Sequence, residues 1–303
     1  MGDEFVQVWQ LISQGAIKIT SFKMPGVADM QVVMMGELPC LVVVEARGTD
    51  TVLMCERENS FFERQRIHTR NPAKVCVCHH RDPSGRIITL MALADSGDST
   101  QAVGSIYVYI YDEAFAEFYL VQELLLENLV WVHLFSYNAD LLMVALSEDV
   151  HGDGGGKVVV YRLDWIIGKG IKLLGHLGSS KTAAAATLLS TNPSFFVAQE
   201  LPVDLPKEAQ FSRIPTGEVC LYVINRNGLV TWFCQEGIHR FRKEGELHVP
   251  GKLTLEAWMI SDGEKMVHRI SVAGQSCSDS KQTAPQLPAE VLEMRIRGAV
   301  YEN

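Results

Sequence analysis

Ser105-Ile-Tyr-Val-Tyr-Ile-Tyr-Asp112 opens a series of four short runs that continues through Phe115 to Leu124, Leu129 to Tyr137 and Leu141-Leu-Met-Val-Ala-Leu-Ser147. The runs are rich in Tyr, Val, Phe, Leu and Trp, and Asp112-Glu113, Glu127-Asn128 and Asn138-Ala-Asp140 punctuate them. β-Branched and aromatic side chains fit a pleated, half-buried surface, so the stretch predicts an antiparallel meander rather than a pair of helices.

Neighbouring segments look like copies of it. Val52, Ile106, Val158 and Val219 fall in corresponding opening strands, about 50 to 60 residues apart, the spacing at which repeats mean propeller blades or other arrays. A single four-stranded sheet cannot bury both faces, whereas radial stacking gives each sheet a neighbour and leaves only short edges. The expectation is an all-β chain forming one β-propeller of four-stranded antiparallel blades. About five units are recognisable, over residues 5–46, 51–95, 105–149, 157–200 and 218–272. Asn227-Gly228 reads as a hairpin turn, Pro202 to Thr216 as a loop outside any central strand, and Gln275 to Gln286 as a polar surface loop. Ala183 to Ala186 reads as a strand or a short helix. The first unit lacks an opening strand, and the strand over 291–297 has no unit to follow it, so the two termini are expected to share a blade and close the ring. The rival is a piece cut from a larger propeller.

The 303 residues are 47% hydrophobic and carry a net charge of −9. That balance argues against a nucleic-acid binder, whose affinity comes mainly from neutralising phosphates. No apolar run approaches the roughly 20 residues that span a bilayer. Met1-Gly-Asp-Glu-Phe5 lacks the basic start and apolar core of a signal peptide. Seven scattered cysteines, an odd number, read as buried free thiols rather than a dense disulfide framework.

Local signatures of chemistry are weak. Cys76-Val-Cys78-His79-His80 is the most tempting metal constellation, but tetrahedral zinc prefers cysteines two to four residues apart with a second pair elsewhere. Strand cysteines in a core and histidines at a turn are the expected reading. Gly152-Asp-Gly-Gly-Gly-Lys157 resembles a phosphate loop only superficially. His151 stands where the first Gly belongs, Val158 where Ser or Thr belongs, and a strand rather than a helix follows. No nucleophile elbow is present. No enzyme, cofactor or metal is therefore expected.

Two basic groups remain, Arg64, Arg66, Arg70, Lys74, Arg81 and Arg86 in the second unit, and Arg240, Arg242 and Lys243 in the fifth. On an acidic chain they are candidates for holding an acidic partner, a protein loop or a sulfated polysaccharide. Tyr111 and Tyr119 are added as exposed aromatics, the residue type that anchors interfaces.

The repeated unit resembles the EAR (epitempin) repeat. The residues that carry the likeness are Ile106-Tyr-Val-Tyr109, Phe118-Tyr-Leu-Val-Gln122, Trp131-Val-His-Leu-Phe135 and Leu142-Met-Val-Ala145, with Phe62-Glu-Arg-Gln65 in the second unit. In the fourth unit Gly175 or His176 is taken to stand in place of the Gln. The resemblance implies a protein-interaction module of extracellular or cell-surface proteins with no catalytic residues. An intracellular scaffold is the alternative, favoured by the signal-free amino terminus and by the absence of an Asn-x-Ser/Thr sequon.

Overall fold

In the computed structural model the described residues are 4–12, 15–24, 26–45, 49–58, 60–97, 103–137, 140–148, 155–167, 191–213, 218–237, 240–248, 252–262, 265–275 and 291–295. All regular structure among them is β. A two-stranded sheet pairs β1 (Glu4–Ile12) with β2 (Gly15–Met24). β3 (Val27–Met35), β4 (Leu38–Glu45), β5 (Asp50–Arg57) and β6 (Ser60–His68) form a four-stranded meander in chain order. β7 (Pro72–Arg81), β8 (Ile87–Asp95), β9 (Val103–Asp112) and β10 (Glu117–Glu127) form the second. β11 (Leu129–Tyr137), β12 (Asp140–Glu148), β13 (Gly155–Ile167) and β14 (Thr191–Asp204) form the third. The fourth comprises β15 (Pro206–Arg213), β16 (Val219–Asn225), β17 (Leu229–Gln235) and β18 (Phe241–His248). A three-stranded sheet of β19 (Lys252–Asp262), β20 (Lys265–Gln275) and β21 (Val291–Arg295) ends the chain.

The repeat is real, but its phase is shifted by two strands. Residues 105–149 supply the last two strands of one sheet and the first two of the next. Connections between sheets are as short as the tightest turns within one, so alternation alone does not say where a sheet begins. Val291–Arg295 pairs with β20, and β1 pairs with β2; a ladder between the two terminal strands is not among the described pairings. The chain divides into two compact units, residues 1–145 with 161–196, and residues 146–160 with 197–303.

Within the first unit β4 is buried on both faces, as its near-continuous apolar run predicts. Cys40, Val42 and Val44 pack with Val75, Val77, Met91, Leu93 and Phe118 of the β7–β10 sheet. Leu41 and Val43 pack instead with Val6, Val8 and Phe22.

One polar contact recurs. The Gln65 side chain on β6 donates from Nε2 to the Phe118 carbonyl (2.8 Å) and accepts the Phe118 N–H at Oε1 (2.7 Å). Gln122 on β10 does the same to Phe195 (3.0 and 2.7 Å), and Gln199 on β14 to Phe241 (2.9 and 2.7 Å). Each donor strand and each receiving strand is the last of its sheet, where backbone groups on the open side lack a ladder partner. The pattern in sequence is Phe-x-x-x-Gln, at Phe61–Gln65, Phe118–Gln122 and Phe195–Gln199. The fourth unit's glutamine is therefore Gln199; Gly175 and His176 lie outside the described residues.

A β-bulge sits one residue before the glutamine position in three of these strands. Register shifts leave Arg64, Val121 and Glu244 as the extra residues. In a regular strand residues i and i+4 share a face. The extra residue changes that parity, so Phe118 packs back onto the preceding sheet while Gln122 reaches the following one. In β18 the glutamine position is Gly245, and a Cβ there would come within 2.3 Å of the Trp232 ring.

Three further expectations change. Pro202 and Pro206 lie in strands, not in a loop, because β14 and β15 are the outermost strands of their sheets and Pro206 opens its strand. Pro215, the Ala183–Ala186 run and residues 276–286 lie outside the described residues. Four of the seven cysteines are paired: Cys40–Cys55 and Cys220–Cys234 stand at facing register positions of neighbouring strands. Separations of 15 and 14 residues with a hairpin between them bring the pairs opposite, which scattered spacing alone does not reveal. Cys76 and Cys78 are free thiols, and Cys277 lies outside the described residues.

Replacing Gln122 by Ala should strand the Phe195 N–H and carbonyl and lower stability by about 1–3 kcal/mol, read as a shift of the urea midpoint. A change below a few tenths of a kcal/mol would mean the clasp is not a structural contact.

Candidate functional site

The Cys/His stretch lies on β7, and strand alternation splits it. Residues Lys74, Cys76, Cys78 and His80 meet β11, whereas Val75 and Val77 face β3, where Gln31 clasps Val77 at 2.8 and 2.6 Å. The resulting polar seam runs along β7 and β11. At one end the Lys74 ammonium lies 4.0 Å over the Trp131 ring and 2.9 Å from Asp29. Next, Cys76 Sγ accepts the Leu134 N–H at 3.2 Å and lies 3.6 Å from His133 Nδ1. His80 Nδ1 is 3.0 Å from Ser136 Oγ, and its ring stacks on Trp165 at 6.5 Å between centroids. His79 turns the other way, to Thr89 Oγ1 at 2.8 Å.

Burial sets the protonation states. It pushes the Cys76 thiol up to about 12 and the Cys78 thiol up to about 11. It pulls His133 down to about 4, with the Lys74 charge adding to the effect. His80 is lowered by burial as well, against the opposing pull of Asp140 and Asp82. Near neutral pH the seam therefore holds a neutral thiol beside a neutral imidazole, the reverse of an activated thiolate–imidazolium pair. No group of three or more candidate metal ligands occurs among the described residues.

Most of the predicted basic side chains are matched within the chain. Arg66 meets Asp50 at 2.8 Å, Glu45 at 3.1 Å and Glu63 at 2.5 Å. Arg86 faces Asp82 at 3.3 Å, Arg64 donates to the Ala116 carbonyl and Arg81 to that of Gly85. Arg70 is exposed, and its backbone N–H is held by Asp95. On β18, Arg242 pairs with Glu244 and Glu236, and Lys243 with Glu246, while Arg240 is exposed. Tyr111 packs edge-on against Phe118 at 5.2 Å. Tyr119 packs edge-on against Phe115 at 6.3 Å and bonds Glu117.

Two features escaped the sequence reading. On β3, Met30, Val32 and Met34 alternate along one face at 42, 64 and 46% exposure. A strand that is apolar on both faces reads as doubly buried, so its open face has no sequence signal. In the second compact unit, a cleft of about 210 Å³ is lined in part by Gly155, Gly156, Asp204, Asn225, Thr231 and Lys243. In the sequence its glycines read only as a loop.

No protein-family model matches the chain, and no curated protein matches it. Solved structures do. BBS1N, crystallised in complex with ARL6DN, is similar at a TM-score of 0.52 and 11% identity over 89% of this chain and 67% of that one. A protein assigned as a 6-phosphogluconolactonase from Bacteroides fragilis is similar at a TM-score of 0.53 and 12% identity, over 97% of this chain and 77% of that one. With the four-stranded meanders already described, these likenesses define the class: the chain is a β-propeller. They also correct the expectation that no enzyme is encoded. One of the two similar folds is assigned as an enzyme, so the architecture gives no ground for excluding catalysis, and at this identity it assigns none. Among the described residues no helix is long and apolar enough to cross a membrane.

The seam predicts acid sensitivity. His133 is held near 4 in the fold but titrates near the ordinary value of about 6.5 when unfolded. Between those values the unfolded chain binds the extra proton, so stability should fall as pH drops from about 6.5 to 4 and level off below. Chemical denaturation of wild type and His133→Gln across that window should show a flatter profile for the variant; parallel profiles would contradict the assignment.

Proposed function

We propose that the chain is a protein-interaction propeller whose docking surface is the open face of β3. The observation that carries this is the stripe of Met30, Val32 and Met34. Contiguous exposed apolar side chains mark interaction sites, and methionine adapts its shape to a partner. The opposite face of the strand, with Val33 and Met35 buried and Gln31 clasping Val77, holds the stripe on a rigid support. That BBS1N was crystallised with ARL6DN supports the reading, since it shows a similar fold engaging a protein.

We read the unit as EAR-like, a reading supported by the three Phe-x-x-x-Gln strands that make one and the same contact. The compartment we favour is extracellular or cell-surface. Two disulfides between facing strands fit an oxidising environment better than a reducing one; an intracellular scaffold is the alternative.

Co-precipitation from the native source with wild type and a Val32→Asp/Met34→Asp double variant tests the surface. The variant should lose a specific partner by about tenfold or more and keep its melting temperature; an unchanged partner set would overturn the proposal. Thiol counting on protein from the same source tests the compartment. Cys40, Cys55, Cys220 and Cys234 should be alkylated only after reduction; alkylation of all four without reductant would count decisively against an extracellular site.

A further inference from the structure

The Asn225 side chain is 2% exposed, and neither its Oδ1 nor its Nδ2 has a hydrogen-bond partner. Buried polar groups in folded proteins are nearly always paired, and leaving one unpaired is costly. Here both halves of one carboxamide are unpaired together. Asn225 ends β16, where its carbonyl accepts the Gly228 N–H to close the hairpin turn and the next residue's N–H bonds the Leu205 carbonyl. The backbone around it is thus tied down.

The same residue lines the cleft of the second compact unit. Gly155 and Gly156 are also in its wall, and Gly156 is held so close to its neighbours that a Cβ would come within 2.5 Å of Pro206 and 2.7 Å of the Ser147 carbonyl. The missing side chain of Gly156 is what lets its strand lie against Pro206 and the Ser147 carbonyl. At the rim Lys243 pairs with Glu246, both about half exposed, so the entrance is polar and can rearrange in solvent.

The chain itself shows what a carboxamide does with such a pair of free valences. Gln31, Gln65, Gln122 and Gln199 each accept one residue's N–H and donate to that same residue's carbonyl, at 2.6 to 3.0 Å. The residue received lies in an extended strand every time. Pairing the Asn225 carboxamide would add hydrogen bonds to a group that the fold leaves unpaired.

We propose that this cleft is a binding site for an extended peptide segment, with Asn225 clasping the N–H and carbonyl of one residue of the ligand and the Gly155–Gly156 backbone opposite. The proposal stands on the cleft and not on the β3 stripe. Asparagine is one methylene shorter than glutamine, so the ligand backbone must come nearer than in the internal clasps.

The probe is an acetylated, methylamidated tri-alanine peptide, titrated into the isotopically labelled full chain and followed through the Asn225 side-chain amide signals. The expected result is a saturable shift of those signals. An analogue whose central N–H is replaced by an ester oxygen should bind about tenfold more weakly, the loss of one hydrogen bond. Asn225→Leu should abolish binding while folding with an equal or higher melting temperature, because it removes an unpaired buried polar group. No saturable shift up to about 10 mM, equal binding of peptide and ester, or unchanged binding to Asn225→Leu would each overturn the proposal. An equal affinity for N-methylacetamide would overturn the peptide as occupant and leave a small-amide site. The Val32→Asp/Met34→Asp variant should bind the probe normally, so failure of either reading is visible apart from the other.

Discussion

A four-stranded blade ends in a strand whose outer row of N–H and carbonyl groups has nothing to pair with, and the fold depends on how that edge is managed. The solution here is a side-chain carboxamide, which carries one donor and one acceptor at the spacing of a single residue's backbone groups. Gln65, Gln122 and Gln199 each reach one residue in the edge strand of the next sheet and satisfy both of its open groups. The contact does more than close a hydrogen-bond deficit. It fixes the register of one sheet against another at a defined residue, which apolar packing alone does loosely.

That contact also explains a pattern that would otherwise be only a string of letters. The phenylalanine must pack against the preceding sheet and the glutamine must face the following one. Four residues apart in a regular strand they would point the same way. The bulge at Arg64, Val121 or Glu244 supplies the missing half-period. At Gly245 the series changes character: the position has no side chain, and the Trp232 ring occupies the space that one would need. A glutamine could not be restored there without displacing the indole.

Much of the architecture was legible because alternating and β-branched runs report strands directly. β4, with Leu41 and Val43 on one face and Val42 and Val44 on the other, was recognisable as doubly covered. The blade boundaries were not legible, since the Glu127-Asn128 turn that separates two sheets looks like any hairpin turn inside one. Gln199 is hidden in the sequence because aligning the fourth unit on residues 171–177 puts Gly175 or His176 at the glutamine position. Pro202 and Pro206 were misread because proline excludes a central strand but not an edge, and edge status is a tertiary property. The disulfide partners were hidden for a similar reason, since pairing depends on register.

The site was less legible than the fold. Cys76, Cys78 and His80 do share a face with His133, but their neutrality follows from burial against β11, which no local motif encodes. The arginines looked like a free basic surface because sequence shows Arg66 and not Glu45, Asp50 and Glu63 converging on it. Asn225 carried no signal at all: an asparagine ahead of a hairpin turn is ordinary. Its meaning comes from contrast. In a chain that satisfies edge-strand backbone groups with carboxamides at four separate places, a fifth carboxamide that is buried, unpaired and part of a cleft wall points to a partner from outside the chain.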